Sequence, residues 1–578
     1  MTGPAAPKDP EKARPFFYIL KDKDVFGERQ KDGTGIQFIY ESDGRLINSA
    51  QITGNVTDKE ELTLLETVEG FGRLVHSIGV SVETDRPEET AEFVFQMYGK
   101  KDLYGGGTNL TASLKCDGME HRIYLSDYRW TEDDHVPGQI KILFAAPERM
   151  GKVSVRLFLN DGYEAPSEEE DLVIDMHSEE YCGMISRSLL QLGNPYRIRK
   201  AIEKSKAGKE VTLAYIGGSI TQGAGAIPIH TECYAYKSFQ LFQNRFSTQN
   251  NVRFIKAGVG GTPSELGMIR FDRDVLREGE RPDIVVIEFA VNDEGDETKG
   301  VCYESLVRKV LKLPWKPAVV LLFSVFANDW NLQERLRPVG DLYDLPMVSI
   351  RDAVTPQFSL KCGEGRILSK NQFFYDIFHP NNTGHTIMAD CLQYLFERCD
   401  AAEPARVGTF VEGMTEEQIL SEKLSGPAVI GADFERIFLL DKKNRYVGAK
   451  IRAGSFTSTD IELQSVEMDG SLTQTPEFPY NWMYDGSRLQ MAGFEMEITC
   501  KSLFLIFKDS GETDVGKANV FVNDVYCMTA DPHKNNWLHC NAVLLFWETE
   551  SRSHKVRIAV TEEDRNKKFT ILGFGYTI

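Results

Sequence analysis

Between Tyr196 and Phe396 the sequence alternates short apolar runs with helical patterns, and this alternation restricts the fold more than any other feature of the chain. Apolar runs lie at Val211–Ile216, Val252–Ile255 and Asp283–Ile287, and further strands are predicted at Ala318 and Pro346. Helical periodicity fills the gaps at Tyr234–Phe246, Glu304–Leu313 and Thr386–Phe396, after a lead-in helix at Tyr196–Lys206. Repeating β–α units predict a parallel sheet with helices on both faces. Ligands of such sheets bind beyond the carboxyl ends of the strands. The first three runs end there in Gly217-Gly218-Ser219, in Gly258-Val259-Gly260-Gly261-Thr262 and in Ala290-Val291-Asn292-Asp293.

These blocks carry a coherent chemistry. A serine on a tight, glycine-flanked turn just past a strand presents its hydroxyl to open space. That hydroxyl is a weak nucleophile until a base takes its proton. His379, in Asp376-Ile377-Phe378-His379-Pro380, supplies a base with a pKa near neutrality. Asp376, three residues earlier, can be presented by the same loop and can fix the imidazole tautomer. The negative oxygen of a tetrahedral intermediate needs preorganised N–H donors.

Serine, glycine, asparagine and histidine in that order, each block near the end of an element, resemble the SGNH (GDSL-type) esterase family. The resemblance runs from Ser219 to His379, about the middle third of the chain. It implies a three-layer, flavodoxin-like α/β domain with catalytic Ser219, His379 and Asp376. It also implies an oxyanion hole of the Ser219 N–H, the Gly261 N–H and the Asn292 amide. The family pattern places the donor glycine before a small polar residue, which selects Gly261, ahead of Thr262, over Gly260. Some carbohydrate esterases similar to this family work with a serine–histidine dyad, so the part played by Asp376 stays open.

Other residues receive plainer readings. Asp293 is expected to be a structural acceptor, His385 a packing residue, and the acidic run 293–297 a solvated loop. His230 and Trp330 fall in loops that could border the pocket and touch substrate. The glycine spacing fits neither a phosphate-binding loop nor a dinucleotide fingerprint. None of the ten cysteines forms a Cys-x-x-Cys pair, so a zinc site has no support, and no metal or cofactor is called for.

The 578 residues exceed one core. Strand-like runs with Gly, Pro, Asp and Asn punctuation, and little helix, predict an N-terminal β-sandwich or jelly roll over 1–178. The catalytic domain follows over 179–402, then a linker with one short helix over 403–433, then a second β-sandwich over 434–578. Trp482, Tyr484, Trp537 and Trp547 are available there as sugar platforms, although core packing is the commoner use of such rings. A net charge of −20 argues against nucleic acid or an anionic membrane as partner. Met1–Lys8 lacks the apolar core of a signal peptide, and the scattered cysteines suit a reducing compartment, so the sequence as written reads as cytoplasmic. Homo-oligomerisation is left open. The expected function is removal of acetyl groups from acetylated carbohydrates, such as oligosaccharides of xylan or mannan. A lipid or thioester acylhydrolase and a non-catalytic carbohydrate-binding protein are the alternatives.

Overall fold

The computed structural model describes residues 8–39, 45–101, 105–167, 171–277, 279–402, 414–467, 474–487 and 492–578. The sequence reading on Met1–Pro7, the acidic residues 168–170 near the expected domain border, and residues 403–413 of the linker lie outside the described residues.

The central sheet has six strands in the spatial order Leu189–Gln191, Met347–Ser349, Ala318–Phe323, Ile284–Glu288, Val211–Gly217, Val252–Gly258. Five run parallel, and the unanticipated edge strand Leu189–Gln191 pairs antiparallel. The inner strands are continuous apolar runs because helices cover both faces, and all seven residues of Val211–Gly217 are buried. On one face Leu213, Tyr215 and Val286 pack with Ile202, Phe242 and Leu392 of the helices Tyr196–Lys206, Tyr234–Phe246 and Asn382–Asp400. On the other, Ala214, Ile216 and Val285 meet Leu266 and Leu306 of Ser264–Phe271 and Val301–Leu311. The chain steps from Val211–Gly217 to Val252–Gly258 on one side, then crosses to Ile284–Glu288 on the other. The strand order reverses at Val211–Gly217, which opens a crevice at its carboxyl end.

Residues up to Leu159 form a four-stranded and a five-stranded antiparallel sheet that share one core, with Ile19, Val80 and Leu157 from one and Phe93, Phe95 and Ile142 from the other. The expectation of little helix needs correction. Three short helices, Arg45–Ile52, Lys59–Leu64 and Val68–Leu74, cover this core with Leu46, Leu62 and Phe71. They are too brief to show a periodic pattern, and Asp58 and Thr67 cap two of them.

The C-terminal strands join in one eight-stranded antiparallel sheet, with a separate two-stranded pair. Its spine is a ribbon of two long strands, Phe494–Asp509 and His539–Val560. The second of these is one continuous strand of 22 residues. The ladder shifts register between Cys500 and Ser502. Both halves of the ribbon serve one core, with Phe494, Ile498, Leu505 and Val556. Phe504, Ile506 and Leu572 instead join the second core of the central sheet, so the C-terminal sheet is packed onto the helices on that face of the central strands.

Arg270 ties the site-bearing strands together. It is wholly buried and donates to the carbonyls of Gly217 (2.8 Å) and Ala257 (2.7 Å) while pairing with Asp274 (3.0 Å). Arg270→Ala leaves two strand ends and a buried carboxylate short of a partner, and should cost about 3–5 kcal/mol. Urea unfolding checks this, and an unchanged midpoint contradicts it.

Candidate active site

Ser219 opens a single helical turn, Ser219–Gln222, directly after the strand Val211–Gly217. Gly218 between them touches the third block: a side chain there would put its Cβ 2.3 Å from Asn292 Oδ1. The close approach at the switch point therefore demands glycine.

His379 arrives on the loop before the helix Asn382–Asp400, closed by a bond from the Tyr375 N–H to the His379 carbonyl (2.8 Å). Asp376 organises this loop. Its Oδ1 accepts from the N–H groups of Phe378 (2.7 Å) and His379 (2.9 Å), and its Oδ2 lies 2.9 Å from His379 Nδ1. His379 Nε2 lies 2.9 Å from Ser219 Oγ. With Nδ1–H donating to the carboxylate, neutral His379 offers Nε2 as the acceptor for the serine proton.

Burial alone would raise the Asp376 pKa, but the charge and hydrogen bond of His379 and two backbone N–H groups hold it below the ordinary carboxylate value. Burial pulls His379 down, but the charge and hydrogen bond of Asp376, aided by the charge of Glu288, carry it above its ordinary 6.5. Glu288 was missed at the sequence level, although a carboxylate closing an apolar strand beside the motif is a readable signal. It is buried, accepts from Thr221 Oγ1 (3.2 Å), and is pushed up to about 7 by burial.

Asn292 sits in a turn in which its N–H donates to the Phe289 carbonyl (3.0 Å). Among the described residues its buried Oδ1 has no hydrogen-bond partner. Asp293 is a structural acceptor: its Oδ1 takes the Ser264 N–H (2.7 Å) and so ties the second block to the third. Burial pushes its carboxyl up to about 8. The acidic run 293–297 is solvated only in part, at Glu294, Gly295 and Glu297. Asp293 and Asp296 are buried, and Asp296 pairs with Arg335 (2.6 Å) and accepts from the Gly300 N–H (2.6 Å).

In the second block a Cβ on Gly260 would lie 3.9 Å from Ser219 Cβ. Gly261 has φ +69°, and a Cβ there would lie 2.8 Å from the ring of Trp537. A side chain on Gly260 would thus face Ser219, and one on Gly261 would face the Trp537 ring. His385 accepts the Tyr234 N–H at Nδ1 (3.1 Å), lies 3.1 Å from the Ala224 carbonyl through Nε2, and is pulled down to about 3 by burial; it is a neutral packing residue. Trp330 stacks on Phe326 (5.6 Å), which meets Phe378 of the histidine loop at 4.9 Å. His230 is half-buried in the short helix Ile229–Glu232, whose Ile229 packs near Gly223.

Both flanking regions reach these loops, which no local signal in the sequence announces. Lys23, buried in an N-terminal strand, donates from Nζ to the Phe374 carbonyl (2.6 Å), and Tyr375 packs against the N-terminal core. From the C-terminal region, Gln464 donates to the Gly260 carbonyl (2.8 Å) and His539 Nε2 lies 3.1 Å from the Gly261 carbonyl. Of the four aromatics singled out there, Trp482 and Tyr484 are core, whereas Trp537 and Trp547 are exposed. Among the described residues no three His, Cys, Asp or Glu side chains are grouped to hold a metal, and no helix is long and apolar enough to cross a membrane.

Residues 215–387 match the GDSL-like Lipase/Acylhydrolase family. Two solved structures resemble the chain across 68% of its length and 98% of their own. One is a two-domain esterase (CEX) active on acetylated mannans, at 23% identity and a TM-score of 0.55. The other is a two-domain esterase (CEX) active on acetylated mannans co-crystallized with mannopentaose, at 24% identity and a TM-score of 0.53. These likenesses establish a shared fold. No curated protein matches the chain. The chain carries a GDSL-like lipase/acylhydrolase domain, and its class is that of a carboxylic ester hydrolase.

The raised His379 pKa has a kinetic signature. Only neutral His379 can accept the serine proton, so kcat/KM should fall on the acid side with an apparent pKa above 6.5. Glu288, at about 7, is partly ionised over that limb, so Glu288→Gln removes a partial charge that stabilises the imidazolium and should move the acid limb modestly to lower pH. Profiles of both proteins on an aryl acetate check this. A limb that stays in place or moves to higher pH in the variant contradicts it.

Proposed function

We propose that the chain is a serine esterase that removes acetyl groups from acetylated carbohydrates. The observation that carries this reading is the line Asp376–His379–Ser219, with both links at 2.9 Å. Ser219 Oγ attacks the ester carbonyl carbon as His379 Nε2 takes its proton. Negative charge collects on the carbonyl oxygen, facing the N–H groups of Ser219 and Gly261 and the Asn292 amide. Collapse expels the sugar hydroxyl, which takes the proton from His379 and leaves an acetyl-serine. Water, deprotonated by the same histidine, then releases acetate and restores the hydroxyl. Asp376 holds the tautomer and stabilises the imidazolium.

Support for a carbohydrate comes from two directions. The esterase that the fold resembles is described as active on acetylated mannans, and one structure was obtained with mannopentaose. On this chain, Trp537 is 44% exposed beside Gly261, where a ring can face a sugar. A cavity of about 560 Å³ adjoins the histidine loop at Ile377 and is lined in part by Tyr18, Asn48, Asn328 and Lys370. The same reading takes 1–178 and 434–578 as jelly-roll-like modules flanking a catalytic domain over 179–402 and a linker over 403–433.

Acetate release from acetylated mannan and xylan oligosaccharides, and hydrolysis of aryl acetate against butyrate and octanoate, test the substrate class. Acetate should be strongly preferred, and an octanoate preference would replace this reading with a lipid acylhydrolase. Ser219→Ala should fold and lose nearly all turnover; activity within a few-fold of wild type removes it as nucleophile. Asn292→Ala should lower kcat by about 10²–10³-fold with KM little changed. A destabilised variant that keeps its kcat would make Asn292 a turn residue only.

A further inference from the structure

Gln464 lies outside the residues that match the family, yet its side chain grips the second glycine block. Nε2 donates to the Gly260 carbonyl at 2.8 Å. Oε1 accepts the Cys540 N–H at 3.0 Å, and the backbone carbonyl of Gln464 accepts the Glu477 N–H at 2.7 Å. The side chain is buried. Because a backbone N–H can only donate, the Cys540 bond fixes which end of the amide is oxygen, and the NH₂ group must face Gly260.

The consequence follows from peptide geometry. In a trans peptide the C=O of one residue and the N–H of the next point in opposite directions. A donor that holds the Gly260 carbonyl therefore also sets the direction of the Gly261 N–H. Glycines on both sides of that peptide leave the backbone free to rotate unless something holds it. The next peptide is held too: the ring of His539, with Asp509 Oδ2 3.2 Å from Nδ1, sits 3.1 Å through Nε2 from the Gly261 carbonyl.

We propose that Gln464 is a positioning residue of the oxyanion hole: it holds the Gly260 carbonyl so that the Gly261 N–H is aimed at the developing negative oxygen. The C-terminal region is then a working part of the esterase. This rests on the reading of Gly261 as an oxyanion donor.

The test compares Gln464→Met with Gln464→Leu, both of which lose the donor without adding a charge or an O–H group. Each is assayed on an aryl acetate and on its thionoester, beside Asn292→Ala. Sulfur is the weaker hydrogen-bond acceptor, so weakening the oxyanion hole slows the oxygen ester more than the thionoester. In either folded Gln464 variant kcat on the aryl acetate should fall about 10–100-fold, a misaimed donor costing less than the loss of one. KM and the acid-limb pKa should hold, and the oxygen-to-sulfur rate ratio should narrow. A merely structural role lowers the melting temperature and leaves the ratio unchanged, which overturns the proposal. If Asn292→Ala narrows the ratio and the Gln464 variants do not, the oxyanion hole stands and the role of Gln464 falls. If none of the variants narrows it, the donor assignment fails and takes the proposal with it.

Discussion

One hydrogen bond, 2.9 Å from His379 Nε2 to Ser219 Oγ, joins residues 160 positions apart, and much of the structure is organised around making it. The serine comes from the end of a strand buried on both faces, which fixes its position with the rigidity of the sheet. The histidine comes from the loop before the helix Asn382–Asp400. Asp376 restrains it through two backbone N–H groups as well as the imidazole, so one carboxylate shapes the loop and sets the tautomer together. The net effect on acidity is a balance: burial disfavours the imidazolium, and the carboxylates outweigh it.

The flanking regions belong to the same constraint. Lys23 and Tyr375 join the histidine loop to the N-terminal sheets, while Gln464 and His539 join the glycine loop to the C-terminal region. The C-terminal ribbon also turns Phe504 and Ile506 into the core beneath the catalytic strands. Burial of such side chains contributes about 1.5–3 kcal/mol each, so this sheet is held to the catalytic layer by packing as well as by polar contacts.

How much of this was legible in the sequence depended on whether the signal was local. The strands Val211–Gly217, Val252–Gly258 and Ile284–Glu288 announce themselves, because a strand covered on both faces is a continuous apolar run. The helices Tyr196–Lys206 and Tyr234–Phe246 fall where their periodicity puts them. The three N-terminal helices were lost because one or two turns carry too little pattern. The strand His539–Val560 is hard to read as one element because its middle, Glu548 to His554, is polar and mostly exposed. Within the acidic run 293–297, composition does not reveal that Ser264, Gly300 and Arg335 pair with Asp293 and Asp296 and so bury them. Lys23 and Gln464 gave no local sign at all: each gains its meaning from a backbone carbonyl hundreds of residues away.

The central claim is that Ser219 carries the acyl group during turnover, and trapping the acyl-enzyme tests it most directly. The protein is mixed with an excess of aryl acetate, quenched in acid within the first turnover, digested and mapped by mass spectrometry. The account predicts the added mass of one acetyl group on the peptide that contains Ser219, at Ser219 itself, and none after the same treatment of Ser219→Ala. An acetyl group found on another residue and turning over at the catalytic rate, or rapid hydrolysis by Ser219→Ala, would contradict it.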